Sequence, residues 1–226
     1  MDEPVSWELL RDLRAGDREA FLALGRRVRY GPGQVVCRHG DPADSLHLVE
    51  AGRLAVSMPL ETGAVATVEI LGPGSYFGEV ALLRRNPCGT ATVTVIEPAT
   101  TLRIAASDFR RLCAQRPEVQ HTAALLLADR LDHLSNRLLE ALYVGLEERV
   151  RRRLVELCEM ETRGARDGQP VVLRVTQQQL AEMAGGTRVS VNQALQRLVR
   201  SGVVTLARGR IVVVDQSRLQ DSRHGR

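Results

Sequence analysis

Residues 176–200, TQQQLAEMAGGTRVSVNQALQRLVR, constrain this chain more tightly than any other stretch. Thr176 followed three residues later by Gln179 is a capping box, so a helix is expected to start there. Leu180, Met183 and Ala184 give it a short apolar face at helical spacing. Gly185-Gly186 should end it, because glycine takes the positive φ of a sharp turn at little cost. Thr187 then suits the cap of a second helix with Val191, Ala194, Leu195 and Leu198 inside. Arg188, Val189, Asn192, Gln193, Gln196 and Arg200 form its outer face. Two short helices joined by a small-residue turn, the second polar outside, make a helix-turn-helix.

The residues after this helix pair extend the motif. Val203, Val204 and Leu206 run into Ala207-Arg208-Gly209-Arg210 and then Ile211 to Val214. The pattern is strand, glycine turn, strand, which is a hairpin with arginines at its tip. A helix-turn-helix joined directly to a basic hairpin is a winged helix. The hydroxyl, amide and guanidinium groups of Thr176, Gln177, Thr187, Ser190, Arg197, Arg208 and Arg210 suit phosphate and positioning contacts. Arg188, Asn192 and Gln193 suit hydrogen bonding to base edges, with Val189 beside them.

The partner this implies is double-stranded DNA, and the charge agrees with it: +4 formally, with a pI near 9.2. No lysine occurs, so all 31 basic residues are arginine. Cys37, Cys88, Cys113 and Cys158 are scattered without a CxxC pair, as expected of free thiols in a reducing compartment. The N-terminus is acidic and lacks an apolar run, and no stretch approaches the roughly 20 apolar residues of a membrane span. A cytoplasmic protein without membrane attachment is expected. With no nucleophile–base pair, no metal-ligand spacing and five separated histidines, an enzyme is not expected.

Residues 5–28 read as one or two short helices interrupted at Gly16-Asp17, with Leu9, Leu10, Leu13, Phe21, Leu22 and Leu24 as packing residues. From Arg29 to about Ile104 short Val/Leu/Ile runs alternate with glycine and proline turns. Strands are expected near 34–37, 45–49, 53–58, 65–71, 91–96 and 100–104, in a sandwich, jelly roll or small barrel. Phe77-Gly78-Glu79-Val80 breaks the alternation and looks like a short helix start, where open backbone N–H groups favour an anion. Glu79 there suits a sugar diol.

Ser107-Asp108 starts another helix, and Pro117 opens a long one. Ala124, Leu127, Leu131, Leu134, Leu138 and Leu142 recur along it at spacings of three or four, a narrow seam like that of a coiled coil. Homodimerisation fits a two-fold DNA site. Glu147 to Met160 is read as a helix whose arginines, Arg149 and Arg151 to Arg153, form a solvated face. Gly164 to Gly168 is a polar break, and residues 216–226 are expected to be a disordered tail.

A β-roll containing Gly52 and Phe77-Gly78-Glu79, a leucine-seamed helix, and a winged helix with Thr187-Arg188 and Val191 together resemble the cyclic-AMP receptor protein/fumarate-nitrate regulator (CRP/FNR) superfamily. The resemblance spans nearly the whole chain. It implies an α+β chain: an antiparallel β-roll or jelly-roll sensor over 1–115, a dimerisation helix over 116–145 and a winged helix-turn-helix over 146–215. It also implies a homodimeric transcription regulator with DNA and RNA polymerase as partners. The alternative is a small-molecule-binding module that regulates a partner protein.

In cyclic-nucleotide-binding members the glutamate after Phe-Gly holds the ribose, and an Arg-Ser or Arg-Thr pair about ten residues on holds the phosphate. Glu79 matches the first, but Gly89-Thr90 stands in the second position. The resemblance makes Arg130 the partner of the pocket glutamate and Ser135 a contact to the base, with Leu134 in place of a polar neighbour. Gly78, Glu79, Val80, Gly89, Thr90, Arg130, Leu134 and Ser135 are thus the candidate effector pocket. A missing charge-assisted fork costs about 1.5–3 kcal/mol or more, so cyclic AMP is not expected as a tight ligand unless loop residues Arg84 and Arg85 fold inward. No cysteine precedes Cys37 to hold an iron–sulfur cluster, and haem ligation through Cys37, His39 or His47 is not expected. In the recognition helix Arg188 matches an arginine that reads guanine, while Val189 replaces an acidic residue and Gln193 a second arginine.

Overall fold

The structure, a computed structural model, describes residues 5, 7, 10, 11, 13–84, 87–162 and 169–220, with only the backbone at 122, 123 and 126. Leu9, Arg85, the break at 164–168 and residues 221–226 lie outside the described residues. The chain divides into two compact units, residues 1–65 with 69–135 and residues 136–226 with 66–68, so the last turns of the helix Pro117–Tyr143 belong to the second.

The first unit begins with α1 (Ala15–Ala23), followed by strands β1 (Arg26–Tyr30), β2 (Val35–Cys37), β3 (Ser45–Pro59), β4 (Val65–Leu71) and β5 (Tyr76–Phe77), the single turn α2 (Val80–Leu83) and β6 (Thr92–Ala105). Helices α3 (Ala106–Gln115) and α4 (Pro117–Tyr143) come next. The sheet has the order β1-β6-β3-β4, with β2 also on β6 and β5 on β3. The assigned ladders of β1, β2 and β5, and that between β3 and β6, are all antiparallel.

Three expectations need correction here. Arg26–Tyr30 is a strand paired with Ala99–Arg103, not part of a helix. Its alternation of arginine with Val28 and Tyr30 is the period of a half-buried strand. Gly16-Asp17 does not interrupt a helix but lies in the first turn of α1. There Asp17 is buried and accepts hydrogen bonds from Arg14 at 3.0 Å and Arg116 at 3.1 Å. Finally, Gly52 and Glu97-Pro98 do not end strands. Arg53 faces Glu97 in an uninterrupted β3–β6 pair whose register shifts around Gly52. Gly52 has φ +80°, and a β-carbon there would lie 2.1 Å from the Pro98 carbonyl oxygen. The two supposed turns are one bulged bend in a long ribbon.

Phe21, Leu46, Leu48, Ala81, Ile104 and Phe109 are buried together in the core that α1, α2 and α3 form on this sheet. Phe21 and Phe109 meet edge to face at 5.9 Å. The seam residues of α4 behave otherwise: Leu127, Leu131, Leu134, Leu138 and Leu142 are 47–64 % exposed.

The second unit holds α5 (Leu146–Thr162), β7 (Val171–Leu173), α6 (Gln177–Met183), α7 (Arg188–Arg200), β8 (Val204–Ala207), β9 (Arg210–Val213) and α8 (Gln216–Gln220). Its sheet order is β7-β9-β8. Residues 216–220 are therefore a helix and not a disordered tail, anchored by Leu219 at 1 % exposure. Of the four arginines of α5 only Arg152 is exposed; the other three do not form a solvated face. Arg153 is 1 % exposed, ion-paired with Glu140 and, at 2.9 Å, with Glu156. Arg149 donates to the carbonyls of Ala141, Val144, Ala184 and Gly185 at 2.9–3.2 Å. It thereby satisfies oxygens that the end of α4 and the turn after α6 leave without helical partners. Arg151 donates to the carbonyls of Arg218 and Leu219 at 3.0 and 3.2 Å.

Candidate functional site

In the second unit the helix pair forms as its caps dictate. The Thr176 hydroxyl accepts from the Gln179 amide at 3.1 Å, and the Gln179 side chain accepts from the Thr176 amide at 2.9 Å, completing the capping box. Gly185 turns at φ +63°. Gly186 packs closely on α5: a β-carbon there would stand 2.6 Å from Leu146 Cδ1, so that side chain would have to shift. Thr187 caps α7, its hydroxyl accepting from the Ser190 amide at 3.2 Å and meeting the Ser190 hydroxyl at 2.9 Å.

Val191, Ala194, Leu195 and Leu198 are buried. Arg188, Val189, Gln193, Gln196 and Arg200 are exposed, and Asn192 is half-buried. Arg197, expected among the free contact residues, is paired with Glu147 of α5. Arg208 and Arg210 are exposed at the hairpin tip, where Ala207 pairs with Arg210 across Arg208-Gly209.

In the first unit a cavity of about 600 Å³ is lined by Gly78, Glu79, Val80, Gly89, Thr90 and Arg130 of the expected pocket, but not by Leu134 or Ser135. Gly78 sits at φ +84°, with Ser45 O 2.4 Å from where a β-carbon would be. Glu79 comes next at the cap of α2, its side chain accepting no cap bond. The helix is a single turn of four residues, so it adds little aligned dipole to the backbone N–H groups at its start.

Two further corrections concern charge. Arg130 bonds Glu69 Oε2 at 3.1 Å rather than Glu79. Burial works against its charge, yet Glu69, with Glu79 and Tyr76 beyond it, keeps its pKa above the ordinary arginine value. Beside it, Tyr76 donates to Asp129 at 3.0 Å; burial and that carboxylate push the phenol pKa up. Arg84 is exposed and absent from the lining, so it supplies no substitute for the phosphate clamp. Position 89 leaves no room for one: the Gly89 amide donates to Asp41 O, and Gly40 donates to Gly89 O, both at 2.8 Å. A β-carbon on Gly89 would lie 2.4 Å from Arg38 O.

Sequence reasoning missed the inner wall. His47 is 7 % exposed, stacks on Phe77 at 4.7 Å, and shares a 3.0 Å hydrogen bond with Thr101. Burial, reinforced by Arg103, lowers its pKa to about 4, so it is neutral near pH 7. It pairs across the sheet with Phe77, 30 residues on, so no local pattern in the sequence marked it. Among the described lining residues five are carboxylates (Asp41, Asp44, Glu69, Glu79 and Asp129) and three are arginines (Arg38, Arg103 and Arg130). Arg103 is held by Asp44 at 2.9 Å and Arg130 by Glu69. That balance disfavours an anion. Cys37 also lines the cavity, and burial raises its thiol pKa, which keeps it from acting as a thiolate.

A family model of the cyclic nucleotide-binding domain matches residues 27–116, and one of the Crp-like helix-turn-helix domain matches residues 148–222. The chain belongs to the CRP/FNR superfamily. Two CRP relatives extend along almost all of it. The CRP-like cAMP-activated global transcriptional regulator of Mycobacterium tuberculosis is 26 % identical, covering 88 % of this chain and 90 % of its own. The cyclic AMP receptor protein of Thermus thermophilus is 28 % identical, covering 96 % and 97 %. A solved CRP-family transcriptional regulator from Thermus thermophilus superposes with a TM-score of 0.69 at 25 % identity, covering 85 % of this chain and 94 % of that one. Like these CRP/FNR proteins, the chain is a transcription regulator with a helix-turn-helix DNA-binding domain. Among its described residues no helix is long and apolar enough to cross a membrane.

Proposed function

We propose that this CRP/FNR regulator acts as a homodimer on a two-fold DNA site and does so without cyclic AMP. The observation that carries the ligand half is Gly89, where the backbone of Arg38 fills the space a phosphate-binding side chain needs. The excess of carboxylates around the cavity supports the same reading. The sugar-binding shelf of Gly78 and Glu79 persists, so an effector of this cavity is a molecule that donates hydrogen bonds and carries no phosphate.

The dimer half rests on the five exposed leucines of α4. Leaving such a stripe in water forgoes roughly 25 cal/mol for each Å² that a partner helix would cover. Two-fold pairing sets two recognition helices about 34–36 Å apart, one helical turn of DNA. In this reading Arg188, Asn192 and Gln193 address base edges. Thr176, Gln177, Thr187, Ser190, Arg208 and Arg210 position the backbone, and Arg197 does so only after leaving Glu147.

Calorimetric titration with cyclic AMP and cyclic GMP tests the ligand half. No saturable heat is expected at micromolar protein; tight stoichiometric binding of either nucleotide contradicts it.

A further inference from the structure

Val189 is the second residue of α7 and is 69 % exposed, although the same helix buries Val191, Ala194, Leu195 and Leu198 against its own unit. Nothing local explains an apolar residue there. A β-branched side chain weakens a helix slightly, and its methyls face water. Arg188 precedes it, and Gln193 lies four residues later on the same stripe.

In a helix-turn-helix the first residues of the second helix are those that reach base edges. Among the hydrogen-bonding edges of the major groove, thymine presents an apolar group, its 5-methyl. Valine can neither donate nor accept, so a base facing it is chosen by contact with that methyl.

We propose that Val189 is a specificity-determining residue that recognises thymine through its 5-methyl group, next to the guanine read by Arg188. This rests on α7 being the helix that enters the groove. An acidic side chain in its place would favour the amino group of cytosine; valine removes that acceptor and supplies the apolar surface thymine fits. The half-site is therefore expected to carry guanine and thymine specification on adjacent base pairs.

The test starts from an operator selected by the full chain out of random duplexes. Deoxyuridine then replaces each thymine in turn, which deletes the methyl and nothing else. One thymine per half-site, adjacent to the guanine whose preference Arg188→Ala relaxes, is expected to respond. Uracil there should weaken binding about fourfold per half-site, the factor for one methyl-sized burial. Val189→Ser should bind the thymine and uracil duplexes alike, with an unchanged melting temperature because the side chain is exposed and serine and valine have similar helix propensity. A selected half-site without that thymine, or equal wild-type affinity for thymine and uracil, overturns the assignment while leaving DNA binding intact. A chain that no duplex retains overturns the DNA-binding reading as well.

Discussion

A β-carbon on Gly89 would stand 2.4 Å from the carbonyl oxygen of Arg38, closer than two such atoms can sit. The loop that holds a phosphate in cyclic-nucleotide-binding relatives is here stitched to residues 38–43 through Gly40, Asp41 and Ala43. Gly89→Ala must push backbone against backbone and should destabilise the first unit by about 1–3 kcal/mol, seen as a lowered thermal midpoint. Gly89→Arg should be destabilised likewise and still fail to bind cyclic AMP in a calorimeter. Tight binding by that variant would show that the loop accommodates the clamp.

The Arg153 guanidinium, 1 % exposed, depends on Glu140 and Glu156 for its compensation. Removing one carboxylate leaves a buried charge half-paired. Glu140→Ala should cost about 3–5 kcal/mol in urea unfolding of the chain. A loss below about 1 kcal/mol would mean that the network is solvated, as the arginine-rich sequence suggests at first sight.

His47 supplies a pH dependence with a definite sign. Its folded pKa is about 4, lowered from 6.5 chiefly by burial and then by Arg103. Between those values the unfolded chain binds a proton that the folded chain refuses, so stability is full above pH 6.5 and falls as pH drops toward 4. The full effect is on the order of 3 kcal/mol. Asp44, whose pKa is lowered by Ser45 and Arg103, loses its contribution only below 3.8 and so acts in a separate window. Denaturation at pH 7, 5.5 and 4.5 should show a shallower decline for His47→Gln than for the parent chain; parallel declines would contradict the neutral, buried imidazole.

The leucine stripe of α4 is the expected dimer seam. Leu131→Glu combined with Leu138→Glu places charge where both side chains are more than half exposed, so the fold should survive. The double variant should sediment as a monomer and lose operator affinity. A dimer that persists with full affinity would place the subunit contact elsewhere.

How far the sequence revealed the fold depended on the range of the interactions involved. The winged helix was legible because its determinants are local: Thr176 and Gln179, Thr187 and Ser190, and the Gly209 turn each act within four residues. Strand β1 was hidden because Arg26, Arg27 and Arg29 mask a period of two that only β6 makes meaningful. The bend at Gly52 looked like a turn because Pro98, which faces it, is distant in the chain. In the cavity, Gly78 and Glu79 could be named from their order in the chain. The exchange of Glu79 for Glu69 as the partner of Arg130 depended on the path of β4, and His47 required the Phe77 pairing. The arginines of α5 misled for a similar reason: charge alone does not reveal that Ala141, Val144, Ala184 and Gly185 present unpaired carbonyls around Arg149.

Paired recognition helices that bind duplex DNA without a cyclic nucleotide should retard a selected operator when the chain is ligand-free. The measurement is that retardation across a salt series, repeated with saturating cyclic AMP. Log affinity should fall linearly with log salt as phosphate contacts release counterions, and cyclic AMP should leave each value unchanged. Failure of the ligand-free chain to retard the operator, with binding restored by cyclic AMP, would contradict the account.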